Sequence, residues 1–213
     1  MTTSPLPRFT RLRLLASGAL MAGYLALRPY GDQTGSPSQE ASAFASPMWL
    51  AAHLAGAAAL VSWALAARGL GCGAGRLGRA LTITAGVGIG LSLPYYGAET
   101  FGLHALGRSE LAPEVVSQLA SAIRNDPAAL ATFGAGLLAI TASGVLLPLA
   151  RRRVDAISWR WWPLGLLMAT FLPQFYLPAP ARVVWGAAFL GAAVLASAPA
   201  RTRDSSSATQ QAF

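Results

Sequence analysis

Residues 80–104 read ALTITAGVGIGLSLPYYGAETFGLH. Up to Leu93 the stretch carries no charge. Past Pro94 it sets down two tyrosines, Tyr95 and Tyr96, an acid, Glu99, and a histidine, His104. A helix rises 1.5 Å per residue, so about 20 apolar residues cross the ~30 Å hydrocarbon layer of a membrane. Residues 80–99 are long enough for one crossing, and their polar groups gather at one end of it. The whole chain agrees with this, being 54% hydrophobic and only 11% charged. Soluble domains average about 25% charged residues, so these charges are too few to cover a water-facing surface. The expected fold is an all-α integral membrane bundle.

Working outward from this stretch, six spans are predicted: 11–27, 48–67, 80–99, 128–150, 161–177 and 183–199. Residues 1–10 form a short N-terminal segment, 11–200 the transmembrane domain, and 201–213 a disordered tail rich in serine. The basic start at Arg8, Arg11 and Arg13 also suits a signal peptide. The small-residue pattern Ala41-Ser42-Ala43 lies too far downstream for cleavage, so the first span is read as retained.

The net charge of +8 comes with arginine and no lysine, a bias that fits a GC-rich bacterial genome. In a membrane chain, basic residues set topology, which makes nucleic acid a poor partner. Arg68, Arg76 and Arg79, then Arg151, Arg152, Arg153 and Arg160, then Arg201 and Arg203 fall on the side of Arg8. The other side holds Arg28, Arg108, Arg124 and Arg182, with Asp32, Glu40, Glu110, Glu114 and Asp126. Both termini are therefore expected in the cytoplasm of a multi-pass cell-membrane protein. Trp49, Trp159, Trp161, Trp162 and Trp185 lie near the predicted interfaces.

Between spans three and four, Val115, Val116, Leu119, Ala120 and Ile123 share a helical face, which predicts a short helix on the outer interface. A faint repeat pairs spans two and three with spans four and five. Pro47 aligns with Pro127 and Gly56 with Gly136, and the Leu93-Pro94 and Leu172-Pro173 pairs close the two hairpins. The GxGxxG at Gly73–Gly78 follows a span and no strand, so a turn is expected there and not a dinucleotide site. Gly86 and Gly90 form a GxxxG, read as helix packing. Cys72 is the only cysteine, so no internal disulfide can form.

Counting from the cytoplasmic ends places Arg28, His53, Tyr95, Tyr96, Gln174 and Tyr176 in one layer about 21–25 Å up, with Glu99 about one turn higher. Each residue also has a plain reading. The tyrosines suit an aromatic belt, Arg28 a side chain reaching headgroups, and Glu99 a solvated acid or a partner of Arg28. His53 suits a packed histidine and His104 an exposed one. Buried polar groups in hydrocarbon must otherwise satisfy one another or a ligand. The leading expectation is an outward-facing pocket of His53, Tyr95, Tyr96, Glu99, Gln174, Tyr176 and Arg28. It would serve a binding or accessory subunit for a lipid, a small ligand or another membrane protein.

The alternative is a metal or haem redox protein using His53, Glu99 and His104, residue types that ligate zinc or copper. His104 joins that set only if the helix breaks near Gly102. No cofactor is specified by the sequence. An intramembrane acid–base enzyme using Glu99 or His53 is a third class, without a supporting motif. A transporter is disfavoured, because the cytoplasmic half of the spans holds no acid or histidine.

Overall fold

Residues 6–198 are described by a computed structural model, and they are helical, with no strand among them. The expected tail at 201–213, the end of the sixth span and the first residues of the N-terminal segment lie outside the described residues. The stretch at 80–104 belongs to one helical run, Gly75–Gly107. It comprises α4 (Gly75–Gly97), a π-helical turn (Ala98–Gly102) and α5 (Leu103–Gly107). The other helices are α1 (Arg8–Leu27), α2 (Pro37–Ala45), α3 (Pro47–Leu70), α6 (Pro113–Arg124), α7 (Pro127–Arg151), α8 (Trp162–Ala169) and α9 (Ala179–Ser197).

Four of these runs are long and apolar enough to cross a membrane: Pro47–Leu70, Gly75–Gly107, Pro127–Arg151 and Ala179–Ser197. Their starts follow from local chemistry. Ser46 and Asp126 cap α3 and α7 by accepting from the N–H groups of Met48, and of Ala128 and Ala129, while Pro47 and Pro127 occupy the first turn. At the other end of α1, Arg28 is extended because Pro29 follows it, which stops the helix.

The expected fifth span is not one helix. A 3₁₀ turn (Ser158–Trp161) leads into α8, which ends at Ala169 and passes to a second 3₁₀ turn (Pro173–Tyr176). Pro173 has no N–H to give the Ala169 carbonyl, which instead accepts from Thr141 Oγ of α7 at 3.4 Å. The return helix of this hairpin is thus much shorter than α4, its counterpart in the repeat reading.

The long elements form a ring of sequence neighbours. Helix α1 packs on α3, α3 on α4, α4 on α7, α7 on α8 and α8 on α9, and α9 returns to α1. Leu60, Trp63, Ile140, Met168, Phe171 and Phe189 belong to its buried apolar core. There Trp63 Nε1–H donates to Ser143 Oγ at 3.1 Å. Helices α2, α5 and α6 make a separate cap with its own core of Phe44, Trp49, Leu103, Val116 and Ala120.

Of the predicted helical face at 113–124, Val116 and Ala120 turn into this cap, while Val115 and Leu119 are exposed. The tryptophans also divide. Trp159 and Trp162 are exposed, whereas Trp49, Trp161 and Trp185 are buried, so an interfacial belt accounts for only the first two.

Gly86 and Gly90 are not packing glycines: both are exposed, with open space where a Cβ would stand. The close approach of α4 to α7 uses Gly88 and Gly136, and a Cβ on Gly136 would lie 2.8 Å from the Gly88 carbonyl oxygen. The GxGxxG segment begins in a turn and runs into the start of α4 at Gly75, with Gly73 and Gly75 at positive φ.

At the end of the bundle opposite the cap, Asp155 is buried and ties several segments together. Its carboxylate accepts from Arg160 at 2.8 Å, Trp161 Nε1 at 2.9 Å, Arg151 at 3.4 Å and the Ile157 N–H at 3.0 Å. Arg160 continues to the Ala198 carbonyl at 2.6 Å, and Arg151 to that of Leu70 at 3.3 Å. Burial pushes the Asp155 carboxyl up, but the hydrogen bonds from Trp161, Ile157 and Arg160 outweigh it and hold the pKa below the usual value. The stabilisation is therefore full above the ordinary carboxylate range and is lost as pH falls through the lowered pKa. Asp155→Asn is expected to lower the thermal midpoint at pH 7, and the gap to the native chain should shrink below about pH 4. A gap independent of pH would mean that the charge of Asp155 contributes nothing.

Candidate binding site

A cavity of about 320 Å³ lies between the capped end of the ring and the cap itself. Helix α1 brings Tyr24 and, at its end, Arg28, and Asp32 follows four residues later in the 3₁₀ turn (Gly31–Gln33). His53 comes from α3, Tyr95 and Tyr96 from α4, and Glu99 from the π-helical turn. Arg124 ends α6, Phe133 lies on α7, and Arg182 lies in the first turns of α9. Phe175 and Tyr176 come from the 3₁₀ turn after α8. Tyr176 is 86% exposed and Gln33 is exposed too, so both stand at the mouth.

Arg124 is the centre of charge. Its Nε donates to Glu99 Oε1 at 2.7 Å and its Nη2 to Oε2 at 3.1 Å, a two-pronged pair. It also reaches Asp32 at 3.1 Å and Glu40 at 3.4 Å. Burial would lower the Arg124 pKa, but the hydrogen bond and charge of Glu99, with the charge of Asp32, outweigh it and raise it. Arg28 pairs with Asp32 at 2.5 Å and lies over the rings of Tyr30 and Trp49 at 5.1 and 5.0 Å. The expected Arg28–Glu99 pair is thus replaced by two pairs, Arg28–Asp32 and Arg124–Glu99, with Arg124 joining both. Arg182 Nε donates to the Leu177 carbonyl at 2.8 Å, and an Nη to that of Phe175.

His53 is fixed in direction. Its Nδ1–H donates to the Trp49 carbonyl at 2.8 Å, since a carbonyl can only accept. The ring lies against the Trp49 indole, with centroids 4.2 Å apart. This leaves Nε2 pointing towards Glu99, 3.9 Å from Oε2. Glu99 is held in turn by the π-helical turn. The Leu103 N–H reaches back to Ala98 O, and the Glu99 carbonyl accepts from Trp49 Nε1 at 2.7 Å.

Of the residues singled out from sequence, His53, Tyr95, Tyr96, Glu99, Tyr176 and Arg28 line this one cavity. Gln174 does not. It is buried beside the site, and neither of its amide atoms has a partner. His104 is also elsewhere: its ring Nδ1–H donates to the Phe44 carbonyl at 2.7 Å, inside the cap. The helix does not unwind at Gly102; it widens by one residue and continues, so His104 is not carried back to Glu99. Among the described residues, no group of three or more His, Cys, Asp or Glu is placed to hold a metal ion. His53, Glu99 and His104 therefore do not form such a group.

Sequence reasoning left out Tyr24, Asp32, Gln33, Arg124, Phe133, Phe175 and Arg182. A signal for three of them, Arg124, Arg182 and Tyr24, was present. The arginine-poor side holds only Arg28, Arg108, Arg124 and Arg182, and three of these four converge here. Tyr24, Arg28 and Asp32 are also spaced by four, which aligns Tyr24 with Arg28 on one face of α1.

No protein-family model matches the chain, and no curated protein or solved structure shows significant similarity to it.

Proposed function

We propose that this chain is a six-span bacterial cell-membrane protein whose cavity faces outward and binds a small ligand. The crossings are α1, α3, the run through α4 and α5, α7, the broken α8 segment and α9, with both termini in the cytoplasm. The arginine asymmetry supports this orientation: Arg28, Arg124 and Arg182 on the poor side are drawn into the cavity, and Arg68, Arg76 and Arg79 cluster at the opposite end.

One observation carries the binding reading. The cavity wall contains buried polar atoms with no protein partner: Arg28 Nε and Nη1, Asp32 Oδ1 and Tyr96 Oη. Buried polar groups are nearly always hydrogen-bonded, and each one left unmade costs about 1–3 kcal/mol. A ligand that enters the cavity with matching polar groups recovers part of this. The apolar core of the ring supports a pocket over a path across the membrane.

Thiol labelling tests the reading. Native Cys72 is exposed in the turn after α3 and should resist a membrane-impermeant thiol reagent in intact cells, reacting once the membrane is opened. With Cys72 replaced by serine, Ser38→Cys in α2 should react from outside. His53→Cys and Tyr95→Cys should react with a small impermeant methanethiosulfonate. The reverse pattern at Cys72 and Ser38 would overturn the orientation. Inert cysteines at both 53 and 95 would overturn the open cavity.

A further inference from the structure

We infer that the ligand is a carboxylate joined to an apolar body, and that Arg28 is the group that recognises the carboxylate. This rests on the binding reading above and specifies its ligand. Arg28 is 8% exposed, and a guanidinium has five N–H donors and no acceptor. Only Nη2 is used, on Asp32, while Nε and Nη1 have no partner. The Tyr96 hydroxyl, 4% exposed and also without a partner, offers a further donor. Buried donors around one cationic centre call for an anionic acceptor.

The charge of the wall limits how much anion fits. Arg28, Arg124 and Arg182 face Asp32 and Glu99, which leaves one positive charge in excess. Glu40, the third acid on Arg124, does not line the cavity. A single negative charge balances the wall. A doubly charged phosphate would overshoot and meet two carboxylates.

The rest of the wall is aromatic. Tyr95 stacks on Phe133 with centroids 4.2 Å apart, and Phe175 meets Phe133 edge-on at 5.9 Å. Tyr95 also borders a second, mostly apolar hollow of about 270 Å³ between α4 and α7, lined by Pro94, Ala128 and Thr132 among others. An acid with a long chain would lay that chain there, entering from the membrane. A compact aromatic acid would stay within the first cavity, entering from outside. Both present the same carboxylate to Arg28.

Full-length protein in a neutral detergent is titrated with oleate and 3-phenylpropionate, and with their uncharged amides as controls. At least one acid should bind about tenfold or more tightly than its amide, the size expected for a hydrogen bond to a charged group. Oleate alone would mark a membrane acid, 3-phenylpropionate alone a free one. Arg28→Gln should remove the preference for acid over amide, and Tyr96→Phe should weaken acid binding several-fold. Protection of His53→Cys by acid but not by amide, with Arg28 in place, gives the same answer if Arg28→Gln fails to fold. Acid and amide binding alike, or an unchanged preference in Arg28→Gln, would overturn the carboxylate. If neither acid binds while His53→Cys still labels from outside, the carboxylate falls and the open cavity stands. If His53→Cys and Tyr95→Cys are both inert, both readings fall.

Discussion

Gly136→Leu is expected to destabilise the bundle by more than about 3 kcal/mol, at or beyond the upper end of ordinary overpacking. A Cβ at this position lies 2.5 Å from Ser92 Oγ, 2.8 Å from Gly88 O and 3.1 Å from the Ser92 nitrogen. Two of these are backbone atoms of α4, which cannot swing aside, so α4 and α7 must separate. Helices in lipid associate largely through such close packing, so little else would compensate. Gly86→Leu is the control. It has open space and should stay within about 0.5 kcal/mol. Reversible unfolding in detergent measures both. Equal damage at the two positions would show that the outward face of α4 is itself an interface and that the Gly88–Gly136 contact is not special.

Arg124→Ala should be the most damaging change at the site, costing about 2–4 kcal/mol. Removing one partner of a fully buried ion pair costs about 3–5 kcal/mol, and Arg124 keeps some contact with water, its side chain being 21% exposed. Its loss leaves Glu99, Asp32 and Glu40 facing one another without their shared cation. The Glu99 contact is two-pronged and planar, so Arg124→Lys should recover only part of the loss. Since Arg124 fastens the end of α6, amide exchange in 113–124 should speed up more than exchange in α7. Uniform acceleration across the bundle would mean that Arg124 acts on global stability and not on the cap.

Particular residues show how far the sequence could be read. The long apolar helices were legible because apolar length and scarcity of charge are properties of composition: α3, α7 and the run Gly75–Gly107 each bracket a predicted span, and α9 covers nearly all of the described part of a fourth. The fifth span was misjudged in its second half, because hydropathy does not register that Pro173 has no N–H to give the Ala169 carbonyl. The shared height of Arg28, His53, Tyr95 and Tyr96 follows from counting residues, and depth survives small errors of tilt. Direction around the helix does not. His104 was a candidate only on a break near Gly102, and the one-residue widening at Ala98–Gly102 keeps the helix continuous. Asp32 was out of reach for another reason, and for Arg124 only its place on the arginine-poor side was legible. Asp32 lies in the turn after α1 and Arg124 at the end of α6, and their meeting depends on contacts between segments far apart in the chain. Gly88 was passed over because the eye follows a spacing pattern, whereas packing depends on which face meets α7.

The ring of neighbours has a consequence for biosynthesis. Each ring member up to α8 packs on the ring member before it in the chain and can settle there as synthesis proceeds. The closing seam joins α1 to α9, the members farthest apart along the sequence. The site straddles this seam, with Tyr24 and Arg28 on one side and Arg182 on the other. Until α9 is in place, Arg28 stands in a wall that lacks the panel carrying Arg182. The cavity is thus complete only in the final stage of assembly, and a nascent chain halted before α9 would carry nearly all of the bundle with its wall unfinished.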